Sequence, residues 1–143
     1  MSKIYDLVKD HESHTILADA TVLEAAREMV AHNVGAVPVL RDGELAGIFS
    51  ERDIMTRVVA EGRDPARTLV SEVMTSHPLT VDYRDSIEHC MVLMRQHGFR
   101  HLPICDGDGK KLKGIVSLRD ILLRNLTEKD EEVQMMRAYI HGS

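Results

Sequence analysis

The chain is poor in aromatic residues and in cysteine. Its 143 residues include no tryptophan, two phenylalanines, three tyrosines and two cysteines. Cys90 and Cys105 cannot build a disulfide framework, so we expect both to be reduced core residues of a cytosolic protein. No apolar run approaches the roughly 20 residues that span a bilayer, and the first residues lack the apolar segment of a signal peptide. The sequence therefore predicts a cytoplasmic protein that does not enter a membrane.

Positive charge is also in short supply. The sequence has 18 Lys and Arg against 23 Asp and Glu, which gives a formal net charge of -5 at pH 7. This argues against a dedicated nucleic-acid binder, which normally carries a basic stripe, but it leaves room for a local basic pocket that holds one phosphate ligand. The hydrophobic fraction of 43% and the charged fraction of 29% are those of an ordinary globular domain.

An internal repeat organises the chain. Residues 21–26 match residues 86–91 at an offset of 65 (positions 21 and 86), and residues 47–54 match residues 114–121 at an offset of 67 (positions 47 and 114). The additional residues fall in a turn, where insertions are tolerated. Both halves therefore predict the same elements in the same order.

Each half is predicted to form strand, helix, strand, strand and helix. Apolar residues at helical spacing predict helices over Val22–His32 and Ile87–His97, with Asn33 and Gly98 as their C-terminal caps. Asp-Gly between apolar runs predicts a hairpin in each half, with a proline at a strand start or edge. The other predicted elements are strands at residues 15–17, 36–40, 45–49 and 79–81, closing helices at residues 51–60 and 118–126, and a short helix at residues 70–74.

We expect the two small repeats to bury their sheet faces against each other in one joint core. The predicted division is residues 1–62 for the first repeat, 63–69 for a linker, 70–127 for the second repeat and 128–143 for a helical tail. The tail is either an extension of the last helix or a separate helix. Its apolar stripe could dock on the core or on a second subunit, and it comprises Val133, Met136, Tyr139 and Ile140.

Short motifs recur in order in both halves. They are Val-Gly-Ala-Val-Pro-Val (34–39), Gly-Ile-Phe-Ser-Glu-Arg-Asp (47–53), Glu-Val-Met-Thr (72–75), Arg-His-Leu-Pro-Ile (100–104) and Gly-Ile-Val-Ser-Leu-Arg-Asp (114–120). Together they resemble the CBS-domain pair family, or Bateman modules, over nearly the whole chain. The sequence is most similar to the stand-alone bacterial members, whose closing segment resembles residues 136–140.

The resemblance implies an α+β fold of tandem CBS repeats, β-α-β-β-α twice, packed with pseudo-two-fold symmetry and with two clefts between them. Such clefts commonly hold AMP, ADP, ATP, NAD or S-adenosylmethionine as regulatory ligands, and no cofactor is required. Two modules often pair into a disk-shaped homodimer. The resemblance therefore implies a non-catalytic sensor that binds an adenine nucleotide.

Both halves place Ser-x-x-Asp at the start of the closing helix, as Ser50 with Asp53 and Ser117 with Asp120. One interpretation is a capping box and nothing more. The other is a ligand site, because a helix N-terminus favours phosphate and an aspartate can accept hydrogen bonds from ribose hydroxyls. The resemblance implies that the two aspartates bind ribose and that the two serines lie beside the phosphate.

The resemblance also implies which residues surround the rest of the ligand. Arg52 and Arg119 would either bond phosphate or form a solvated helix face. The adenine would lie against Val34, Gly35 and Ala36 in the first repeat. The equivalent residues of the second repeat are bulky, so we expect unequal clefts, in which the second set either reaches a phosphate or fills the empty space; these residues are Phe99, Arg100 and His101. The candidate set is completed by His14, Ile48, Leu79 and Ile115.

Other chemistry finds little support in the sequence. His11 lies three residues before His14, and His97 four before His101, but a helix end at Gly98 separates the second pair. Without Cys-x-x-Cys or His-Glu-x-x-His we predict no metal site, and without Gly-x-Ser-x-Gly or a Walker loop we predict no enzyme. The alternative to a nucleotide sensor is a ligand-independent oligomerisation or partner-docking module, acting on a protein that the sequence does not identify.

Overall fold

The two halves of the chain form two sheets, each covered by helices. A computed structural model describes residues 3–9 and 13–141, without the side chains of residues 126–128 and 139–141. The first half contains α1 (Ile4–Val8), β1 (Ile16–Leu17), α2 (Val22–His32), β2 (Ala36–Arg41), β3 (Glu44–Ser50), α3 (Glu51–Asp53) and a π-helix (Ile54–Val59). The second half contains α4 (Val70–Val73), β4 (Thr75–Ser76), β5 (Val81–Asp82), α5 (Ile87–His97), β6 (His101–Asp106), β7 (Lys111–Ser117) and α6 (Leu118–His141).

The strand order confirms a repeated unit and adds one strand. The first sheet has the order β1-β2-β3-β4 and the second has the order β5-β6-β7. In each sheet a short strand runs parallel to the first strand of an antiparallel hairpin. The fourth strand of the first sheet, β4, comes from the second half of the chain and pairs with β3, so the two halves share a sheet.

Local signals place the helices and turns as predicted. Thr21 caps α2 with a complete capping box, and Asn33 ends it in the left-handed conformation. Gly98 ends α5 in the same conformation. The turn between β2 and β3 has positive φ at both Asp42 (53°) and Gly43 (80°), as a type I′ hairpin requires.

The prolines lie further inside their strands than predicted. Pro38 and Pro103 are each third in their strand, where they pair with β3 and β7 respectively. Pairing with the parallel strand on the other side begins one residue later, at Val39 and Ile104. Proline has no backbone N–H to donate. In both strands it therefore lies just before the point where the strand begins to pair on both sides.

The closing helices of the two halves differ. In the first half the α-helical start passes into the π-helix. In the second half α6 continues from Leu118 to His141, so the tail extends the last helix instead of forming a separate one. Val133 and Met136 on this extension are 46% and 64% exposed and do not dock on the core. The Tyr139 and Ile140 side chains, also placed in the stripe, lie outside the described residues.

The prediction of one joint core was wrong, because the described residues form two apolar clusters, one in each half. Each cluster is completed by a short helix from the opposite half. Val70 and Val73 of α4 lie in the first cluster, whereas Ile4 and Val8 of α1 lie in the second. Each sheet is thus covered by its own long helix and by the other half's lead-in helix, and this exchange ties the repeats together.

Both cysteines are buried, free thiols of the second half, as expected of core residues. Burial, aided by the charge of Asp85, raises the pKa of the Cys90 thiol to about 12. Burial and the charge of Asp108 raise the pKa of Cys105 to about 11. Because the thiolate is the reactive form, neither residue has the character of a nucleophile.

Candidate functional site

A cavity of about 590 Å³ lies between the two halves, within the range of small-molecule sites. Its walls come from the end of β3 and the helix that follows, from the segment after α4, and from the start of β6. The lining residues are Ala36, Ile48, Ser50, Arg52, Asp53, Thr56, Arg57, Thr75, His77, Pro78, Leu79, Gly98, Phe99, Arg100, His101 and Pro103. One cavity thus joins elements that are far apart in the sequence.

Ser50 and Asp53 form a complete capping box at the edge of this cavity. The Asp53 amide donates to Ser50 Oγ over 3.2 Å, while Asp53 Oδ2 accepts from the Ser50 amide at 3.0 Å and from the Ser50 hydroxyl at 3.1 Å. Asp53 is only 7% exposed. The capping interpretation is therefore correct in geometry, and it does not exclude the ligand interpretation, because the same two residues line the cavity.

The cavity carries an excess of positive charge although the chain as a whole is acidic. Arg52, Arg57 and Arg100 line it, and Asp53 is the one carboxylate among the described lining residues. Arg57 Nε lies 3.8 Å from Asp53 Oδ1. Guanidinium groups that line one cavity suit a phosphate, which they can bind with charge-assisted hydrogen bonds.

His101 is half-buried at the start of β6, where its backbone pairs with Ser117. Burial lowers the pKa of its imidazole, and the nearby charge of Arg100 adds to this. The charges of Asp120 and Glu51 oppose the shift without cancelling it. The ring is therefore mainly neutral at pH 7, and His101 lines the cavity.

The cavity brings together nine of the sequence-predicted site residues. They are Ala36, Ile48, Ser50, Arg52, Asp53, Leu79, Phe99, Arg100 and His101. The bulky residues of the second repeat, Phe99, Arg100 and His101, line the cavity together with Asp53 of the first repeat, because the space runs between the halves and each half contributes one wall.

The other predicted residues lie outside this cavity, namely His14, Val34, Gly35, Ile115, Ser117, Arg119 and Asp120. Ser117 and Asp120 form their own cap, with amide bonds of 3.3 and 3.0 Å. The space beside Gly35 is taken by Glu51, whose Oε1 would lie 3.2 Å from a Cβ at that glycine. The His14 ring stacks on His32 with centroids 3.7 Å apart.

Several lining residues were missed by the sequence reasoning. They are Thr56, Arg57, Thr75, His77, Pro78, Gly98 and Pro103. Thr56 and Arg57 follow Asp53 by three and four residues, and this spacing alone predicts one face of a helix. His77 and Pro78 carry no such signal, since they reach the cavity through the path of the chain between β4 and β5, where His77 has a φ of 50°.

Among the residues that the structure describes, no three His, Cys, Asp or Glu side chains are placed to hold a metal ion. His11, considered as a partner of His14, lies outside them. In the same part of the chain no helix has the length and apolarity needed to cross a bilayer.

Known proteins match the chain over both halves. The family model described as CBS domain matches residues 4–60 and 70–126. The CBS domain-containing protein YhcV of Bacillus subtilis is 39% identical over 129 residues, which cover 90% of this chain and 89% of that protein. The chain spans 62% and 52% of the length of two longer curated relatives.

Solved structures agree with this match. The crystal structure of the CBS domain NE2398 has a TM-score of 0.80 at 34% identity, covering 88% of this chain and 99% of that one. CBSX2, solved in complex with AMP, has a TM-score of 0.78 at 25% identity, covering 90% of this chain and 99% of that one. The resemblance noted from the sequence motifs is thereby confirmed, together with the fold of two tandem repeats.

Proposed function

The chain belongs to the CBS domain family, and on that premise we propose that it is a non-catalytic regulatory module that binds an adenine nucleotide. The observation that carries the proposal is the cavity between the halves, where a capping carboxylate, three guanidinium groups and an apolar wall meet. AMP is bound by the similar protein CBSX2. A cytoplasmic location, the absence of catalysis and the choice of nucleotide stay predictions.

The chemistry of the lining suggests how a nucleotide would lie. Asp53 accepts hydrogen bonds from the ribose hydroxyls, and the guanidinium groups of Arg52 and Arg100 bind the phosphate. The base packs on the apolar side chains of the cavity, which are Ala36, Ile48, Leu79, Phe99 and Pro103. Because the excess charge is positive, AMP, ADP, ATP and NAD are favoured over the sulfonium cation of S-adenosylmethionine.

The first prediction is that nucleotide affinity depends on Asp53. Titration calorimetry of the full chain with AMP, ADP, ATP and NAD would identify the ligand. With that ligand, Asp53→Asn is expected to weaken binding roughly ten- to hundredfold, the usual effect of losing hydrogen bonds to a charged group. Asparagine keeps the shape and an acceptor for the cap, so a thermal unfolding curve of the variant checks that the fold is intact.

Asp120→Asn is the matched control, since Asp120 forms the equivalent cap outside this cavity. We expect it to change the affinity by less than the Asp53 variant does. Equal losses in both variants would contradict the assignment of the ligand to this cavity. Failure of the wild-type chain to bind any of the four nucleotides would overturn the proposed function and favour a ligand-independent docking module.

We further propose that two modules pair as a homodimer. Such pairing is compatible both with a nucleotide sensor and with a ligand-independent docking module. Met55 and Leu122 are 60% and 47% exposed and occupy equivalent positions on the two closing helices (offset 67, positions 55 and 122). Val59 on the same first helix is 68% exposed. Apolar side chains at pseudo-symmetric positions suit contact with a second, symmetric copy.

A further inference from the structure

Arg57 connects the helix that carries Asp53 to the chain segment that forms another wall of the cavity. Its Nη1 donates to the carbonyl oxygens of Val73 and Met74 over 3.2 and 2.9 Å, at the end of α4. Its Nε lies 3.8 Å from Asp53 Oδ1. One guanidinium therefore contacts both Asp53, which is proposed to bind the ribose, and the start of the segment that forms the neighbouring wall.

That wall is the connector, residues 74–79, of which four residues line the cavity: Thr75, His77, Pro78 and Leu79. Its beginning is held in place, because Met74 is buried in the first core cluster and β4 pairs with β3. Arg57 adds side-chain hydrogen bonds that link the helix after Asp53 to the start of the connector. The position of the wall is thus set partly by a side chain that also faces the ligand site.

The backbone at Arg57 is unusual. It lies in the π-helix, where the Ala60 amide donates to the Met55 carbonyl five residues back. π-helical turns redirect side chains and often occur at functional sites. In the second repeat the closing helix is α-helical from Leu118 to His141. Arg124 occupies the equivalent position there, at the offset that relates Asp120 to Asp53, so the chain contains its own control.

We propose that Arg57 is a positioning residue that couples ligand binding at Asp53 to the position of the connector. The proposal rests on the proposed function for its ligand. Arg57 Nε faces Asp53 Oδ1. A ribose hydroxyl that donates a hydrogen bond to Oδ1 competes with Arg57 for this oxygen and weakens the ion pair. The guanidinium then interacts more strongly with the Val73 and Met74 carbonyls, and the connector becomes more firmly held.

Amide hydrogen exchange of the full chain, with and without saturating AMP, tests this coupling. Without nucleotide, Arg57→Gln is expected to speed exchange in residues 74–79 about tenfold, the effect of losing charged hydrogen bonds, while β6 exchanges as in wild type. AMP is expected to slow exchange at both residues 50–53 and the connector in wild type. In Arg57→Gln it slows only residues 50–53.

Two variants separate positioning from general packing. Arg124→Gln is expected to exchange as wild type in the connector, both with and without AMP. Arg57→Lys keeps the charge and can donate to one carbonyl, so it is expected to restore part of the connector protection. Wild-type exchange of the connector in Arg57→Gln, or equal acceleration by Arg124→Gln, would overturn the proposal.

The same measurement distinguishes this proposal from the proposed function. If AMP left exchange unchanged throughout the wild-type chain, AMP binding would be refuted. The nucleotide-free comparison of wild type with Arg57→Gln would still decide whether Arg57 positions the connector. Faster exchange there supports a positioning role, and unchanged exchange refutes it.

Discussion

Asp53 uses one side chain for two tasks. Its Oδ2 accepts both hydrogen bonds of the cap from Ser50, while Oδ1 lies toward Arg57 at 3.8 Å. A carboxylate that caps a helix can therefore face a ligand without giving up the helix start. For the same reason the Ser-x-x-Asp spacing could not decide between cap and binding site, since both uses need the same residues in the same geometry.

At the same scale, His101 predicts a dependence of stability on pH. Burial lowers the pKa of its imidazole in the folded state, so the unfolded chain binds more protons once the pH falls below the ordinary histidine value of 6.5. The wild-type chain should then lose stability relative to His101→Gln as the pH falls from 7 to 5. As the pH rises toward 8 the difference should level off, because the imidazole becomes neutral in the unfolded chain as well as in the folded one.

Urea unfolding of the two proteins at several pH values measures this difference. The groups whose charge acts on the ring are Asp120, Glu51 and Arg100, and all three are present in both proteins. The contrary result is that the two proteins differ in free energy of unfolding by the same amount at pH 5 and pH 8. This result would show that protonation of His101 does not destabilise the folded protein. The comparison at pH 8 also reports the packing cost of the substitution on its own.

At the scale of elements, the lead-in segments reach the opposite half because glycines leave room for them. A Cβ on Gly47 would lie 2.6 Å from the Thr75 carbonyl oxygen and 2.7 Å from Met74 Sδ. At the equivalent Gly114, a Cβ would lie 3.3 Å from the nearest Val8 side-chain atoms. The glycine that opens each Gly-Ile-x-Ser motif thus has a packing reason, and the contact is tighter in the first repeat.

We therefore expect Gly47→Ala to destabilise the fold by about 1–3 kcal/mol, the usual cost of overpacking. Thr75 presents a backbone oxygen, which can move only if β4 shifts away from β3. Gly114→Ala is the matched variant and should cost less, because the opposing atoms belong to a side chain. Free energies from urea titration give both values, and an equal or larger loss for Gly114→Ala would refute the argument.

Sequence periodicity was a good guide to the long elements and a poor one to the short ones. The helices Val22–His32 and Ile87–His97 end as predicted because Asn33 and Gly98 supply left-handed caps. The five-residue helix α1 was missed, since it is too short for a periodic signal, although residues 4–8 correspond to the predicted helix near residue 70. The π-helix has no signature in composition.

At the scale of the whole molecule, the sequence names candidate residues in each repeat but not which of them share a cavity. The repeat relates Gly35 to Arg100 and Asp53 to Asp120, but the cavity combines Asp53 with Arg100. Which half supplies each wall depends on the exchange of lead-in segments, and this is tertiary information. The position of Glu51 beside Gly35 is tertiary information of the same kind. Unequal clefts stay a prediction, based on the bulky Phe99, Arg100 and His101 of the second repeat.

The assembly prediction follows from the same symmetry. We expect the 16.1 kDa chain to run as a dimer, because Met55 and Leu122 expose apolar surface at equivalent positions. Replacing both by glutamate would bury uncompensated charges in the interface, which costs several kcal/mol per ion and should give a monomer in light scattering after gel filtration. Val30→Glu is the control, since Val30 is 81% exposed on α2 and should leave the dimer intact. A monomeric wild type would refute the homodimer. Dissociation by Val30→Glu as well, or a dimer that survives the double glutamate variant, would refute a pairing contact on the closing helices.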